Sequence, residues 1–189
     1  MSSPTSSGPS TGTSCPIAVL LPGTGYGVKA PLLYWPALML RQLGWRVEAV
    51  EWDARDLTAD DSQAAVEKRL QAVVEAVGGR VDLVLAKSFG TLALPWAVGH
   101  GVAGVWLTPV LAEPVVLDAL TRASSSHLAV GGGADSMWQP ARGLETRAGL
   151  VTVDGADHGL LVDDWANSFD AHRAVLTAID THLKGLARP

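Results

Sequence analysis

The sequence predicts an α/β fold, a three-layer sandwich in which a mostly parallel six-stranded sheet has helices on both faces. Two observations predict it. Short apolar runs without strict apolar–polar alternation recur along the chain, which is typical of parallel strands buried on both faces. Longer segments with apolar residues at helical spacing lie between these runs, and such alternation favours strands joined by crossover helices. Ligands bind these sheets at the carboxyl ends of the strands, so the loops there are the first place to look for function.

The six apolar runs are the predicted strands. They are IAVLL (17–21), VEAVEW (47–52), VDLVLA (81–86), AGVWLT (103–108), HLAVGG (127–132) and LVTV (150–153). In most of them the apolar residues are consecutive, as expected for strands in the middle of a covered sheet.

The segments between the strands predict helices. Residues 61–77 carry valine and leucine on one helical face and end at Gly78-Gly79. The segment 31–43 ends at Gly44, and Pro36 is expected to limit where that helix begins. A short helix is predicted over 114–123. The last helix, 168–184, is expected to be capped by Ser168 or Asn167.

Composition sets limits on the class of protein. The chain of 189 residues suits one folded domain, 15–189, preceded by a flexible tail, 1–14, of mostly Ser, Thr, Gly and Pro. Its net charge of −5 gives no reason to expect nucleic acid or an anionic membrane as partner. The single cysteine, Cys15, needs no oxidising compartment. With no membrane-spanning run and no signal-like start, we expect a cytoplasmic protein.

The loop after the third predicted strand carries the first chemical signal. It reads Ala86-Lys87-Ser88-Phe89-Gly90 and is followed by the helical stretch TLALPWAV. A serine at a tight strand-to-helix turn, with small residues around it, holds its hydroxyl above the sheet edge. The alternative is a serine that only caps the helix. Lys87 is interpreted as either a surface lysine or a cation near the site.

The loop after the first strand, Pro22-Gly23-Thr24-Gly25-Tyr26-Gly27, is rich in glycine. Glycines allow main-chain N–H groups to face a ligand. A phosphate-binding loop is the weaker alternative. The spacing from Gly23 to Lys29 does not fit G-x-x-x-x-G-K-[ST], and the third glycine, Gly27, comes one residue early for G-x-G-x-x-G.

Two further loops supply an acid and a base. Asp135 follows the glycine-rich end of the fifth strand, and His158 lies in Asp154-Gly155-Ala156-Asp157-His158-Gly159 after the sixth. In isolation an aspartate is a common turn residue and a histidine is usually a polar surface residue. Asp154 is the alternative acid. The remaining histidines lack metal-ligand spacing such as H-E-x-x-H, so no metal is expected.

Together these loops resemble the α/β-hydrolase superfamily of serine hydrolases, specifically a small esterase-like member with a minimal lid or none. The order Ser…Asp…His and the elbow G-x-S-x-G, with Ala86 in place of the first glycine, carry the resemblance over residues 16 to about 184. It implies Ser88 as nucleophile, His158 as general base and Asp135 as the acid that orients it. It implies an oxyanion hole formed by the N–H groups of Thr24 and Phe89, and no cofactor.

The resemblance also frames the substrate. The segment 109–126, where many members insert a lid, holds one short helix, which favours a small ester or thioester bound in an open site. Gly25, Tyr26, Trp106 and Trp138 are the expected pocket residues, and Trp165 is a further candidate for an apolar wall. An acyltransferase or cyclase using the same triad, or a non-catalytic binding protein, stays open. A small molecule is the expected partner, and a homodimer is left open.

Overall fold

A six-stranded sheet forms the centre of the computed structural model, which describes residues 15–52 and 62–186. The strands are β1 (Ile17–Leu21), β2 (Arg46–Ala49), β3 (Leu83–Lys87), β4 (Ala103–Leu107), β5 (His127–Gly132) and β6 (Gly149–Val153). Their order across the sheet is β2-β1-β3-β4-β5-β6, and each neighbouring pair is parallel. The predicted α/β class is therefore confirmed, with a sheet that is parallel throughout these described strands. The tail predicted over 1–14 lies outside the described residues.

Helices cover both faces of this sheet. They are α1 (Pro31–Gln42), α2 (Ser62–Ala76), α3 (Leu94–Gly99), α4 (Pro114–Arg122) and α5 (Trp165–Leu186), with short 3₁₀ helices at Ser88–Ala93 and Gln139–Ala141. Buried side chains of α1 and α5 pack with one face of the sheet, and those of α2, α3 and α4 pack with the other. The three predicted layers are thus present.

Alternation along β3 divides the two cores. Leu83 and Leu85 are fully buried in the core beneath α1 and α5, whereas Val84 and Ala86 are buried in the opposite core. Since side chains of a strand alternate between faces, Lys87 lies on the same face as Leu83 and Leu85, toward α1 and α5. A strand buried on both sides explains why its apolar run is continuous.

Helix α1 begins earlier than Pro36 suggested. It starts at Pro31, and Pro36 lies inside it. Proline suits the first helical position, and the Leu32 N–H behind it donates to the Tyr26 hydroxyl at 2.8 Å. Pro36 has no N–H for the Leu32 carbonyl, so the helix tolerates one missing hydrogen bond. Burial of Leu32, Leu33 and Leu40 beneath it offsets that loss.

The cap of α5 also differs from the prediction. The helix starts at Trp165, and Asp164 caps it: its Oδ1 accepts the N–H groups of Ala166 and Asn167, both at 2.8 Å. Ser168 is instead buried and its hydroxyl accepts the Val162 N–H at 3.0 Å. The expected cap at Ser168 or Asn167 was wrong because the apolar stripe does not mark the first turn.

The amino-terminal edge of the sheet carries the single cysteine. Cys15 is exposed, and its thiol donates to the Gly44 carbonyl at 2.8 Å.

Within the two described ranges, no helix has both the length and the apolar character needed to span a bilayer.

Candidate active site

Ser88 lies in a strained turn between β3 and the 3₁₀ helix that it begins. Its φ is +50°, in the left-handed region that a non-glycine residue adopts at a cost of about 1–3 kcal/mol. The Thr91 hydroxyl stabilises the turn by donating to the Ser88 carbonyl at 2.5 Å and accepting the Val110 N–H at 3.1 Å. Gly90 is required here, because a Cβ would lie 2.5 Å from the Leu21 carbonyl oxygen. The turn therefore holds the Ser88 side chain at the carboxyl edge of the sheet.

The Ser88 hydroxyl is hydrogen-bonded to a histidine that is in turn bonded to a buried carboxylate. Ser88 Oγ lies 2.7 Å from His158 Nε2, and His158 Nδ1 lies 2.7 Å from Asp135 Oδ2. The Asp135 side chain is only 3% exposed, whereas that of His158 is 36% exposed. The structure thus brings together three residues that are far apart in the sequence, and the site opens to solvent at the imidazole.

Asp135 is held by its own loop. Its Oδ1 accepts the Met137 N–H at 2.9 Å, while its other oxygen faces His158. Its main-chain N–H donates to the Gly132 carbonyl at 3.1 Å, and Gln139 bonds the Asp135 carbonyl. With both oxygens occupied, the carboxylate has one orientation, and it presents a negative charge to the imidazole.

The other aspartates near His158 have different roles. Asp157 Oδ1 accepts the N–H groups of Gly159 and Leu161, at 2.7 and 2.9 Å, and so stabilises the turn that carries the histidine. Asp154 is exposed, and the imidazole Nδ1 is bonded to Asp135 instead. Of the two candidate acids named from the sequence, the structure therefore places Asp135 on the histidine.

The glycine-rich loop after β1 packs directly against the serine. A Cβ on Gly23 would lie 3.2 Å from Ser88 Cβ, and the Gly23 N–H donates to the Tyr26 carbonyl at 3.1 Å to form a tight turn. Thr24 is exposed at the tip of this turn. In the residue after the serine, the Phe89 ring packs edge-on against Trp52, with ring centroids 5.7 Å apart. Both residues expected in the oxyanion hole thus belong to segments that flank Ser88.

A cavity of about 310 Å³ lies along this loop. Thr24, Gly25 and Tyr26 line it, together with Glu51 and Trp52. Gly25 and Tyr26 were expected at a substrate pocket, and the structure places both on this cavity.

The expected tryptophan wall is wrong for Trp106 and Trp138. Trp106 is 0% exposed and Trp138 is 1% exposed, so both indoles are core residues. Their N–H groups donate to His127 Nδ1 at 3.1 Å and to Thr152 Oγ1 at 2.9 Å. Trp165 is 83% exposed at the start of α5 and forms no wall either.

Glycines on the sheet explain where these two indoles lie. An added Cβ on Gly104 would fall 2.3 Å from the Trp106 ring, and one on Gly131 would fall 2.1 Å from the Trp138 ring. Each ring therefore covers a glycine of the sheet. For Trp106 the sequence did contain a sign of burial: Gly104 lies two positions earlier on the same strand, where it leaves space for the indole.

Lys87 is the residue whose environment the sequence left open. It is 2% exposed, so it is not a surface lysine. Its Nζ donates to Thr108 Oγ1 at 2.6 Å and to the His158 carbonyl at 2.8 Å, and it lies 5.2 Å from the centre of the Tyr26 ring. Burial lowers the pKa of Lys87 to about 8, against the opposing effect of the Asp135 and Asp157 carboxylates.

The other histidines lie elsewhere. His172 Nε2 is 3.4 Å from the Gly159 carbonyl, and His100 stacks on Trp96. In the part of the chain that the structure describes, no group of three or more His, Cys, Asp or Glu side chains could hold a metal ion.

Comparisons with known proteins identify the fold. No protein-family model and no curated protein sequence matches the chain. Among solved structures, Est1E from Butyrivibrio proteoclasticus is similar with a TM-score of 0.70 and 14% identity, over 91% of this chain and 88% of that one. XC6422 from Xanthomonas campestris, described as an α/β serine hydrolase without lid, has a TM-score of 0.62 and 15% identity, over 93% and 85%. The esterase Pf2001 from Pyrococcus furiosus has a TM-score of 0.59 and 12% identity, over 93% and 85%.

These neighbours are esterases and hydrolases that share the α/β-hydrolase fold. The chain therefore has a minimal α/β-hydrolase fold, as its loop motifs predicted.

Proposed function

We propose that this chain is a serine hydrolase that cleaves a small ester or thioester through an acyl-enzyme on Ser88. The observation that carries the proposal is the hydrogen-bond chain from the Ser88 hydroxyl through His158 to Asp135, with both contacts at 2.7 Å. A nucleophile bonded to a base, and the base bonded to an orienting carboxylate, is the arrangement that activates a serine at neutral pH. That similar folds include esterases supports ester substrates.

In the first half of the proposed reaction, Ser88 Oγ forms a bond to the substrate carbonyl carbon. The hydroxyl proton passes to His158 Nε2, and Asp135 stabilises the imidazolium that forms. As the tetrahedral intermediate collapses, the bond to the leaving alcohol or thiol breaks, and His158 returns the proton to the leaving atom. The acyl group then remains on Ser88.

Two main-chain donors are proposed to stabilise the oxyanion. They are the N–H groups of Phe89, directly after the nucleophile, and of Thr24, in the loop that packs on Ser88 through Gly23. Such donors act on charge that develops only in the transition state, and losing one costs about 3–4 kcal/mol of barrier.

In the second half, water attacks the acyl carbon while His158 takes its proton. The proton then moves to Ser88 Oγ as the acyl–oxygen bond breaks, which releases the acid and restores the hydroxyl. The 36% exposure of the His158 side chain leaves room for that water.

The openness of the site supports a small substrate. The segment 109–126 holds only α4 and its flanking turns, and none of the helices in residues 15–52 and 62–186 forms a lid inserted at this position. We therefore expect acetyl and butyryl esters to react better than long-chain esters, which need a wide apolar surface.

A fluorophosphonate probe tests the proposal, because it reacts only with an activated serine. We expect stoichiometric labelling of the wild type and none of Ser88→Ala, with Ser136→Ala as the matched control that keeps full labelling. Failure of the wild type to label, or labelling of Ser88→Ala, would contradict the proposal.

A panel of p-nitrophenyl esters, with and without acceptor nucleophiles, then measures chain-length preference. A rate that depends on an added acceptor would identify acyl transfer instead of hydrolysis.

A further inference from the structure

We propose that Lys87 is a positioning residue, which fixes the Ser88–His158–Asp135 geometry by joining three loops of the site through its ammonium group. The inference rests on the proposed function, since it assigns a part in that chemistry to a residue outside the triad.

The contacts of Lys87 account for all of its donors. An ammonium group carries three N–H bonds. Two of them point to Thr108 Oγ1, at the end of β4, and to the main-chain carbonyl of His158. The third side faces the Tyr26 ring at 5.2 Å, within the range of a cation–π contact of about 6 Å. One cation thus contacts the glycine-rich loop, the end of β4 and the histidine loop.

Each of these partners is itself fixed. The Tyr26 hydroxyl accepts the Leu32 N–H at 2.8 Å, which holds the ring against the first turn of α1. Thr108 adopts a φ of +44°, and its N–H donates to the Val130 carbonyl at 2.6 Å. Lys87 therefore connects the histidine loop to two residues that are themselves hydrogen-bonded to α1 and to β5.

The contact with His158 is the important one. It is made to the carbonyl of the same residue whose ring bonds Ser88, so it restrains the main chain from which the imidazole projects. A displacement of about 1 Å in such a group can reduce a rate about 100-fold. Losing this contact is therefore expected to affect reactivity more than stability.

A buried charge is a poor choice for stability alone. Replacing buried ionic groups by apolar ones of similar size is often neutral or stabilising. The charged and titratable groups that face Lys87 are the Asp135 and Asp157 carboxylates, with His158 and Tyr26 in direct contact. The positive charge of Lys87 thus offsets the negative charge of the buried Asp135 carboxylate. Because burial lowers the pKa of Lys87 to about 8, this charge is lost at moderately alkaline pH.

The test measures the rate of fluorophosphonate labelling between pH 6 and 10. Lys87→Met keeps an unbranched side chain that is one atom shorter, and it removes the donors and the charge. We expect Lys87→Met to label about tenfold more slowly than the wild type at pH 7, or slower still. In the wild type the rate should fall as the pH passes about 8, and this alkaline fall should be missing in Lys87→Met. Circular dichroism verifies that each variant is folded.

A matched pair at Thr108 tests the same contact without changing the lysine. Thr108→Val keeps the shape and loses the acceptor, whereas Thr108→Ser keeps the acceptor. We expect slower labelling in Thr108→Val only, and this pair decides the matter if Lys87→Met does not fold. Wild-type rates in both Lys87→Met and Thr108→Val, or an alkaline fall that persists in Lys87→Met, would overturn the inference. A wild type that does not label at all would instead refute the proposed function.

Discussion

Ser88 and Lys87 are adjacent in the sequence yet belong to different environments, because side chains alternate across a strand. Lys87 is buried on the side of α1 and α5, where it reaches the His158 carbonyl. Ser88 follows at a φ of +50°, which turns its hydroxyl toward the His158 ring. Consecutive residues thus contact the same histidine, one at its main chain and one at its side chain.

Asp135→Asn keeps the shape of the side chain and changes only how it orients the His158 imidazole. In Asp135→Asn the remaining carbonyl oxygen can keep the Met137 N–H, while the amide would donate toward His158 Nδ1. That favours the tautomer in which Nε2 carries the proton and cannot accept one from Ser88. We expect ester hydrolysis to fall about 10⁴-fold, as carboxylate loss from such triads does.

Asp154→Asn is the control for this substitution, since Asp154 was the other candidate acid and is exposed. We expect it to keep hydrolysis within about twofold of the wild type. Equal losses in the two variants would show that Asp135 has no special part in orienting the imidazole.

The sequence was sufficient to identify the residues of the hydrogen-bond chain, because each follows a predicted strand and parallel strands end at one edge of the sheet. It was insufficient for Trp106, Trp138 and Lys87. A strand buried on both faces has no polar side, so the patterns of β3 and β4 do not tell which core Lys87 or Trp106 enters. Trp138 lies in the turn after β5, and its ring covers Gly131. The partners of Lys87 lie 21 and 71 residues away in the chain, beyond any local pattern.

Among the helices, α5 shows how an element end is set by chemistry outside its apolar stripe. Its apolar stripe, which includes the buried Ile179 and Leu183, predicted the helix but not its first turn. The first turn depends on Asp164, whose carboxylate accepts two N–H groups that no helical carbonyl can accept. All six predicted strands, in contrast, match the described strands to within a few residues, because each apolar run coincides with a strand of the sheet.

Removing this cap should cost measurable stability. We expect Asp164→Ala to lower the free energy of unfolding by about 1 kcal/mol, the usual value of an N-cap. Asp164→Asn keeps a capping oxygen and should stay within about 0.5 kcal/mol of the wild type. Urea unfolding at pH 7 measures both. Equal stability of the alanine and asparagine variants would contradict the assignment of Asp164 as the cap.

The whole molecule contains a buried histidine whose charge the fold disfavours. His127 is 3% exposed, and its Nδ1 accepts the Trp106 N–H, so the ring is neutral. Burial, with a smaller effect from His182, lowers the pKa of His127 from 6.5 to about 4. Burial also lowers the pKa of His182. Between pH 6.5 and about pH 4, His127 is protonated in the unfolded chain and neutral in the folded one, so the unfolded chain binds more protons.

Stability should therefore fall on acidification. We expect the free energy of unfolding to decrease as the pH drops from 6.5 toward 4, by up to about 1.4 kcal/mol per pH unit for His127. Urea unfolding at several pH values measures the slope. His127→Gln should reduce this slope by the contribution of about one proton, or about 1.4 kcal/mol per pH unit. His100→Gln, at an exposed histidine, should leave the slope unchanged. An unchanged slope in His127→Gln would contradict the prediction.

The single cysteine gives the molecule a natural point of attachment. In the parallel register Leu21 lies beside Ala86, so Ser88 is level with residue 23, about eight strand positions from Cys15. At about 3.3 Å per position, the exposed thiol is roughly 25 Å from the hydroxyl, at the opposite edge of the sheet. A dye, spin label or resin coupled to this sulfur would leave the mouth of the site free, so turnover could be followed on immobilised or labelled protein without engineering the chain.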